Sequence, residues 1–130
     1  MQDLRVEFRT RRGAAMVLNG VDFHIQPGET LGVVGESGCG KSMTALALLR
    51  LIPSPPGRIT GGTVRLQGED LAQASEPRMR EVRGNRISMI FQEPMTSLNP
   101  VLTVGDQIGE SLRLHAGLDA HAARARAIEM

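Results

Sequence analysis

The sequence of 130 residues contains no tryptophan, no tyrosine, three phenylalanines and one cysteine. So few aromatic rings make it hard to build a platform on which nucleic-acid bases stack. The single cysteine, Cys39, excludes an internal disulfide and suits a reducing compartment. The net charge is only +1 at pH 7, so the chain as a whole has no strong field of one sign. We therefore expect no nucleic-acid partner.

Long apolar runs are also missing. No stretch approaches the ~18 consecutive apolar residues of a membrane-spanning helix. The first ten residues carry charges at Asp3, Arg5 and Glu7, where a signal peptide would need an apolar segment. The sequence thus predicts a protein that is made in the cytoplasm and stays there.

Lysine is nearly absent as well, because fourteen of the fifteen Lys+Arg residues are arginine. The one lysine, Lys41, lies in GESGCGKS, residues 35–42, which matches the phosphate-binding pattern G-x-x-x-x-G-K-[ST]. Glycines let consecutive backbone N–H groups point into one concavity, and a helix that begins there adds its positive dipole end. A compact ammonium reaches between phosphates where a planar guanidinium is too broad, and Ser42 offers a hydroxyl to Mg²⁺.

The elements around this loop have the order that the pattern requires. An apolar run at Glu29–Gly35 predicts a strand buried on both faces, and helical spacing follows from Lys41 until the prolines of residues 53–57. Further strands are predicted at Leu4–Arg9, Gly62–Gly68 and Arg86–Gln92, and further helices after Ser75, over Thr103–His115 and from about Asp119.

Three segments together resemble the ATP-binding subunits of ABC transporters: GESGCGKS, GRITGGTVRLQGEDL (57–71) and ISMIFQEPMTSLNPVLTVGDQI (87–108). Within that family they look like the subunits that power dipeptide, oligopeptide and nickel importers. The resemblance implies an α/β fold, a P-loop NTPase of ABC type, with a mixed sheet, an antiparallel β lobe and the start of a helical lobe. It also implies one nucleotide-binding domain over 1–130, with a phosphate-binding lobe at about 1–93 and a helical part at about 94–130.

The resemblance implies ATP and Mg²⁺ as cofactors. In the family, the glutamine that matches Gln92 senses the γ-phosphate, touches Mg²⁺ and the attacking water, and couples the site to the membrane subunits. Gln92 and Lys41 are therefore the catalytic candidates, and Ser42 and Gln92 the candidate Mg²⁺ ligands. Phe8 takes the place of an adenine-stacking ring, although it is equally compatible with a core position on the first strand. The predicted phosphate-binding residues are Gly35, Glu36, Ser37, Gly38, Cys39, Gly40, Lys41, Ser42, Met43 and Thr44.

The family also implies partners and a location. We expect membrane-spanning permease subunits, a second ATP-binding subunit and, indirectly, an extracytoplasmic solute-binding protein. The protein would then be peripheral, on the cytoplasmic face of the membrane. An apolar cluster (Leu98, Val101, Leu102 and Val104) follows Gln92 and either receives the permease or is buried within its own domain.

Other parts of such an ATPase have no match here: the LSGGQ segment, the strand that ends in Asp-Glu, and a later histidine. We expect these to lie downstream of Met130, so that the 130 residues form the N-terminal portion of a longer ATPase. The intact family member hydrolyses ATP, whereas we expect negligible turnover from these residues alone. Two alternatives stay open: a soluble ABC-type ATPase that acts on DNA or ribosomes, and a truncated nucleotide-binding module without turnover.

Overall fold

A computed structural model describes residues 1–92 and 97–130. The chain divides into two compact units, Met1–Met79 and Arg80–Met130, and each is described by itself. None of the helices in the described ranges is long and apolar enough to cross a membrane.

The first unit is built on a three-stranded antiparallel sheet. Its strands are β1 (Gln2–Thr10), β2 (Gly13–Val21) and β3 (Gly57–Thr63), in the order β2-β1-β3. A tight turn at residues 11 and 12 joins β1 to β2, with Thr10 opposite Gly13. The alternation of apolar and charged residues therefore predicted β1 correctly.

Alternation along β1 also explains which face of the sheet is buried. Leu4 and Val6 are fully buried, and Leu18 on β2 is nearly so. The charged residues that alternate with Leu4 and Val6 lie on the other face of the sheet and form ion pairs. Arg5 Nη2 lies 2.8 Å from Asp3 Oδ1, and Glu7 Oε1 lies 3.0 Å from Arg58 Nη2. The hydrogen bonds that Arg5 donates to the Asp3 carboxylate raise the pKa of Arg5 above its ordinary value.

The third strand differs from the sequence prediction, which placed a single strand at Gly62–Gly68. The structure instead begins β3 at Gly57 and interrupts the strand at Val64, after which β4 (Arg65–Leu66) and β5 (Glu69–Asp70) form a separate small hairpin. β3 begins at Gly57 because the backbone of this residue pairs with Phe8 on β1. A Cβ at Gly57 would lie only 2.8 Å from Phe8 Cζ. Only glycine lets the ring and the strand approach so closely.

Two helices follow the predicted positions. The first, α1 (Lys41–Leu48), ends earlier than the prolines require, because Leu49 N donates to Ala45 O and Arg50 N to Ala47 O, which close the last turn. The second, α2 (Glu76–Val82), has the predicted Ser75 cap, whose Oγ accepts from Arg78 N at 3.4 Å. A bidentate pair between Arg78 and Glu69, both bonds 2.8 Å long, ties α2 to β5.

Two predicted strands are wrong. The runs Glu29–Gly35 and Arg86–Gln92 have no strand assignment, apart from a single bridge between Arg83 and Ile87. Every residue of the first run and most residues of the second are exposed, with Val34 at 93% and Ile90 at 99%. A strand that is buried on both faces needs neighbours along both edges, and the described residues provide none for either run.

The second unit contains two helices, α3 (Val104–Ala116) and α4 (Ala120–Glu129), where the sequence predicted them. Each begins at a capping side chain, since Thr103 Oγ1 accepts from Asp106 N and Asp119 Oδ1 accepts from Ala122 N. The helices pack through small residues, and a Cβ at Gly109 would lie 3.9 Å from Ala123 Cβ.

Candidate functional site

The loop at residues 35–42 is a turn that leads directly into α1. Gly38 and Gly40 have φ angles of 82° and 99°, a region that side chains with a Cβ rarely adopt. Cys39 N donates to Glu36 O at 3.3 Å and closes the turn. Gly38 and Gly40 thus allow the curved backbone that the motif predicts.

Lys41 holds the loop together from inside. Its Nζ donates to the carbonyl oxygens of Gly35 and Glu36, both at 2.7 Å, and lies 3.6 Å from Cys39 Sγ. The ammonium therefore lies inside the curve of the loop and does not extend freely from the surface. Glu36 contributes its backbone carbonyl to this contact.

The side chain of Leu18 on β2 lies against the loop at Gly40. A Cβ at Gly40 would lie 2.9 Å from Leu18 Cδ2 and 3.5 Å from Val17 O. Gly40 is therefore required twice, for its positive φ and for this close approach. Sequence reasoning missed the contribution of Leu18, because nothing in the local pattern of β2 indicates which loop it will support.

The start of α1 leaves hydrogen-bond donors available. The backbone N–H groups of Lys41, Ser42 and Met43 donate to no acceptor in the described part of the chain, as expected for a first helical turn. The Ser42 hydroxyl is exposed and also has no partner there, whereas Thr44 Oγ1 bonds back to Gly40 O at 3.0 Å. Three amides and one hydroxyl thus lie in the first turn of α1, and the Lys41 ammonium lies in the loop that precedes it.

The other predicted site residues lie elsewhere. Phe8 is half-buried on β1, with its ring against Gly57. Gln92 belongs to the second unit, is exposed, and makes no hydrogen bond within the described ranges. Residues 93–96, which follow it in the sequence, lie outside the described residues.

Two solved structures share this fold. They are dimeric forms of MJ0796, described as a bacterial ABC transporter cassette and as an ATP-binding cassette bound to ADP and Pi. Each has a TM-score of 0.81 and 22% sequence identity, and the match covers 98% of this chain and 53% of that chain. The chain therefore has the ATP-binding-cassette fold, as the sequence predicted.

Sequence comparison gives the family. The profile of the ABC transporter family matches residues 18–130, and the chain belongs to that family. A probable peptide ABC transporter ATP-binding protein, y4tR of Sinorhizobium fredii, is 51% identical over the whole chain, and the oligopeptide transport ATP-binding protein OppD of Bacillus subtilis is 48% identical. The chain spans 39% and 36% of the lengths of these two relatives.

Proposed function

We propose that this chain is the nucleotide-binding part of an ATP-binding subunit that drives import of peptides or related solutes. The observation that carries the proposal is the loop at residues 35–42, in which Lys41 Nζ is held by the Gly35 and Glu36 carbonyls beside three free amides of α1. The names of the relatives, which concern peptide and oligopeptide transport, support the choice of solute.

The residues of the loop fit the β- and γ-phosphates of ATP. Free amides at a helix N-terminus attract anions, and the Lys41 ammonium can exchange its carbonyl contacts for phosphate oxygens. Ser42 supplies one hydroxyl oxygen to Mg²⁺, a cation that takes most of its remaining ligands from phosphates and water. Bound Mg²⁺ would neutralise charge on the phosphates, while Lys41 and the amides hold them in position.

The resemblance to the family suggests further roles for Gln92 and Phe8, which we also propose. An exposed amide without a partner in the described ranges is free to orient a water molecule near the γ-phosphate, because it both donates and accepts hydrogen bonds. The ring of Phe8 offers one apolar face to adenine, while Gly57 covers part of the side chain. We propose hydrolysis of ATP for the intact protein.

The proposed partners are permease subunits and a second ATP-binding subunit at the cytoplasmic face of the membrane, with a solute-binding protein acting through the permease. Exposure supports the permease contact: Leu98, Val101, Leu102 and Val104 are each at least half exposed. Four such side chains within seven residues form an apolar surface of the kind that marks protein contacts. The alternative, burial within the helical part, is not supported by these exposures.

Lys41→Ala in the natural protein that contains this chain tests the site. We expect ATP affinity to fall about 100-fold, as for the loss of a charged contact to a phosphate, when it is measured by calorimetry with Mg²⁺ present. Arg65→Ala is the matched control, because Arg65 is exposed, carries the same charge and lies in the same unit. Unchanged affinity in Lys41→Ala, or an equal loss in both variants, would refute the proposed role.

A further inference from the structure

The end of β1 and the turn that leads to β2 carry a cluster of positive charge. Arg9, Arg11 and Arg12 are all exposed, and none of their side chains forms a hydrogen bond or ion pair with a described residue. We call these three residues the arginine tip. Residues 8–15 contain no acidic side chain, so the tip has a local charge of +3 in a chain whose net charge is +1.

The rest of the same sheet is neutralised. Arg5 is bound by Asp3, and Arg58 by Glu7. The charged side chains of β1 and β3 before Arg9 are therefore matched in pairs. Arg9 at the end of β1, and Arg11 and Arg12 in the turn, lack such a partner among the described residues, so the unpaired tip is a local feature of this hairpin.

The backbone of the tip is held in place. Thr10 Oγ1 donates to Gly13 O at 2.7 Å, Arg12 N donates to Thr10 Oγ1 at 3.2 Å, and Arg9 N donates to Pro56 O at 3.0 Å. These bonds fix the turn from both sides. A partner therefore meets three guanidinium groups on a backbone that is already ordered, and less entropy is lost on contact.

The chemistry of the tip fits an extended anionic surface. Its short neighbours, Gly13, Ala14 and Ala15, are exposed and carry at most a methyl group, and the ring of Phe8 packs against Gly57. Recognition of single-stranded nucleic acid would call for exposed rings on which bases stack. Headgroups of anionic phospholipids need neither a pocket nor a ring, since polybasic segments attract them through their diffuse field.

We propose that the arginine tip contacts anionic phospholipid headgroups of the membrane at which the protein works. The idea rests on the proposed function only because that function brings the protein to the membrane. Each arginine near such a surface strengthens binding about fivefold. Three arginines strengthen membrane binding about 100-fold. This contribution is too small to anchor the protein by itself, but it can orient a protein that other contacts already hold at the membrane.

Sedimentation with vesicles tests the proposal on the natural full-length protein without its permease and without nucleotide. Phosphatidylcholine vesicles with about 30% phosphatidylglycerol are compared with pure phosphatidylcholine, at about 50 mM and about 500 mM salt. We expect the partition coefficient to be higher on the anionic vesicles at low salt. The variant R9Q/R11Q/R12Q is expected to lose up to about 100-fold of this partitioning.

The matched control removes three scattered charges. Arg65, Arg80 and Arg124 are exposed and lie on other elements, so R65Q/R80Q/R124Q changes the net charge equally and is expected to keep most of the partitioning. Equal losses in the two variants, or equal partitioning of the wild type on both vesicle types, would overturn the proposal. Displacement by RNA at a phosphate concentration that matches the lipid would indicate a nucleic-acid surface and would also overturn it. Because ATP is absent, failure of the nucleotide site would leave these results unchanged.

Discussion

β1 and the run Glu29–Gly35 are both predicted as strands but differ in structure. The prediction rests on alternating apolar and charged residues in β1 and on a short apolar run at residues 29–35. In β1, Leu4 and Val6 are fully buried, whereas Val33 and Val34 in the run are exposed to 55% and 93%. β1 pairs with β2 on one side and with β3 on the other, while no described strand pairs with residues 29–35. Apolar residues stabilise a strand only when another part of the chain covers them.

The largest expected effect separates these two regions directly. Leu4→Ala should lower the free energy of unfolding of the 130-residue chain by about 3 kcal/mol, because it removes buried methyl groups and leaves a cavity. Val34→Ala removes apolar atoms that are already in water and should change it by less than about 0.5 kcal/mol. Urea titration followed by circular dichroism measures both. Comparable losses in the two variants would mean that residues 29–35 are covered in solution.

A second pair of variants compares a glycine in close contact with a neighbouring strand, Gly62, with a glycine that has open space around it, Gly68. Gly62 and Gly68 have nearly the same φ, 89° and 90°, but a Cβ at Gly62 would lie 2.4 Å from Asp3 O, whereas a Cβ at Gly68 meets nothing within 4 Å. Both alanine substitutions share the cost of the positive φ. Gly62→Ala should therefore be the more destabilising by about 2 kcal/mol, since it also pushes β3 from β1. The same urea titrations report the difference, and equal effects would contradict the close contact between the strands.

The smallest effect concerns ion pairs. Glu69→Gln weakens the bidentate bond to Arg78, in which the two side chains are 31% and 38% exposed, and should cost about 1 kcal/mol after allowance for screening. Glu129→Gln weakens the bond to Arg126, where both side chains are more than half exposed, and should cost less than about 0.5 kcal/mol. Thermal unfolding at low and high salt checks the ranking; a larger effect at Glu129 would reverse it.

Local chemistry explains what could be predicted from the sequence. The start of α1 at Lys41, the Ser75, Thr103 and Asp119 caps, and the alternation of β1 depend on residues within a few positions of one another. The loop at 35–42 follows from glycines whose φ angles a Cβ would strain. Each of these features depends on neighbouring residues in the sequence, so it can be predicted without the rest of the fold.

The features that could not be predicted depend on distant contacts. β3 begins at Gly57 because Phe8, 49 positions earlier, packs against that glycine. Gly40 rests on Leu18, which the motif does not mention. The two apolar runs at 29–35 and 86–92 were assigned as strands from composition, although strand formation depends on neighbours that composition does not supply. The roles of Gln92 and Phe8 stay predictions.

The solitary lysine has a practical consequence. Amine-reactive labels have one side-chain target in this chain, Lys41, besides the amine at its first residue. Reductive methylation with isotope-enriched formaldehyde would place an NMR probe on that nitrogen, whose contacts are the Gly35 and Glu36 carbonyls. Its chemical shift would report the occupancy of the loop in a single spectrum, without any mutation.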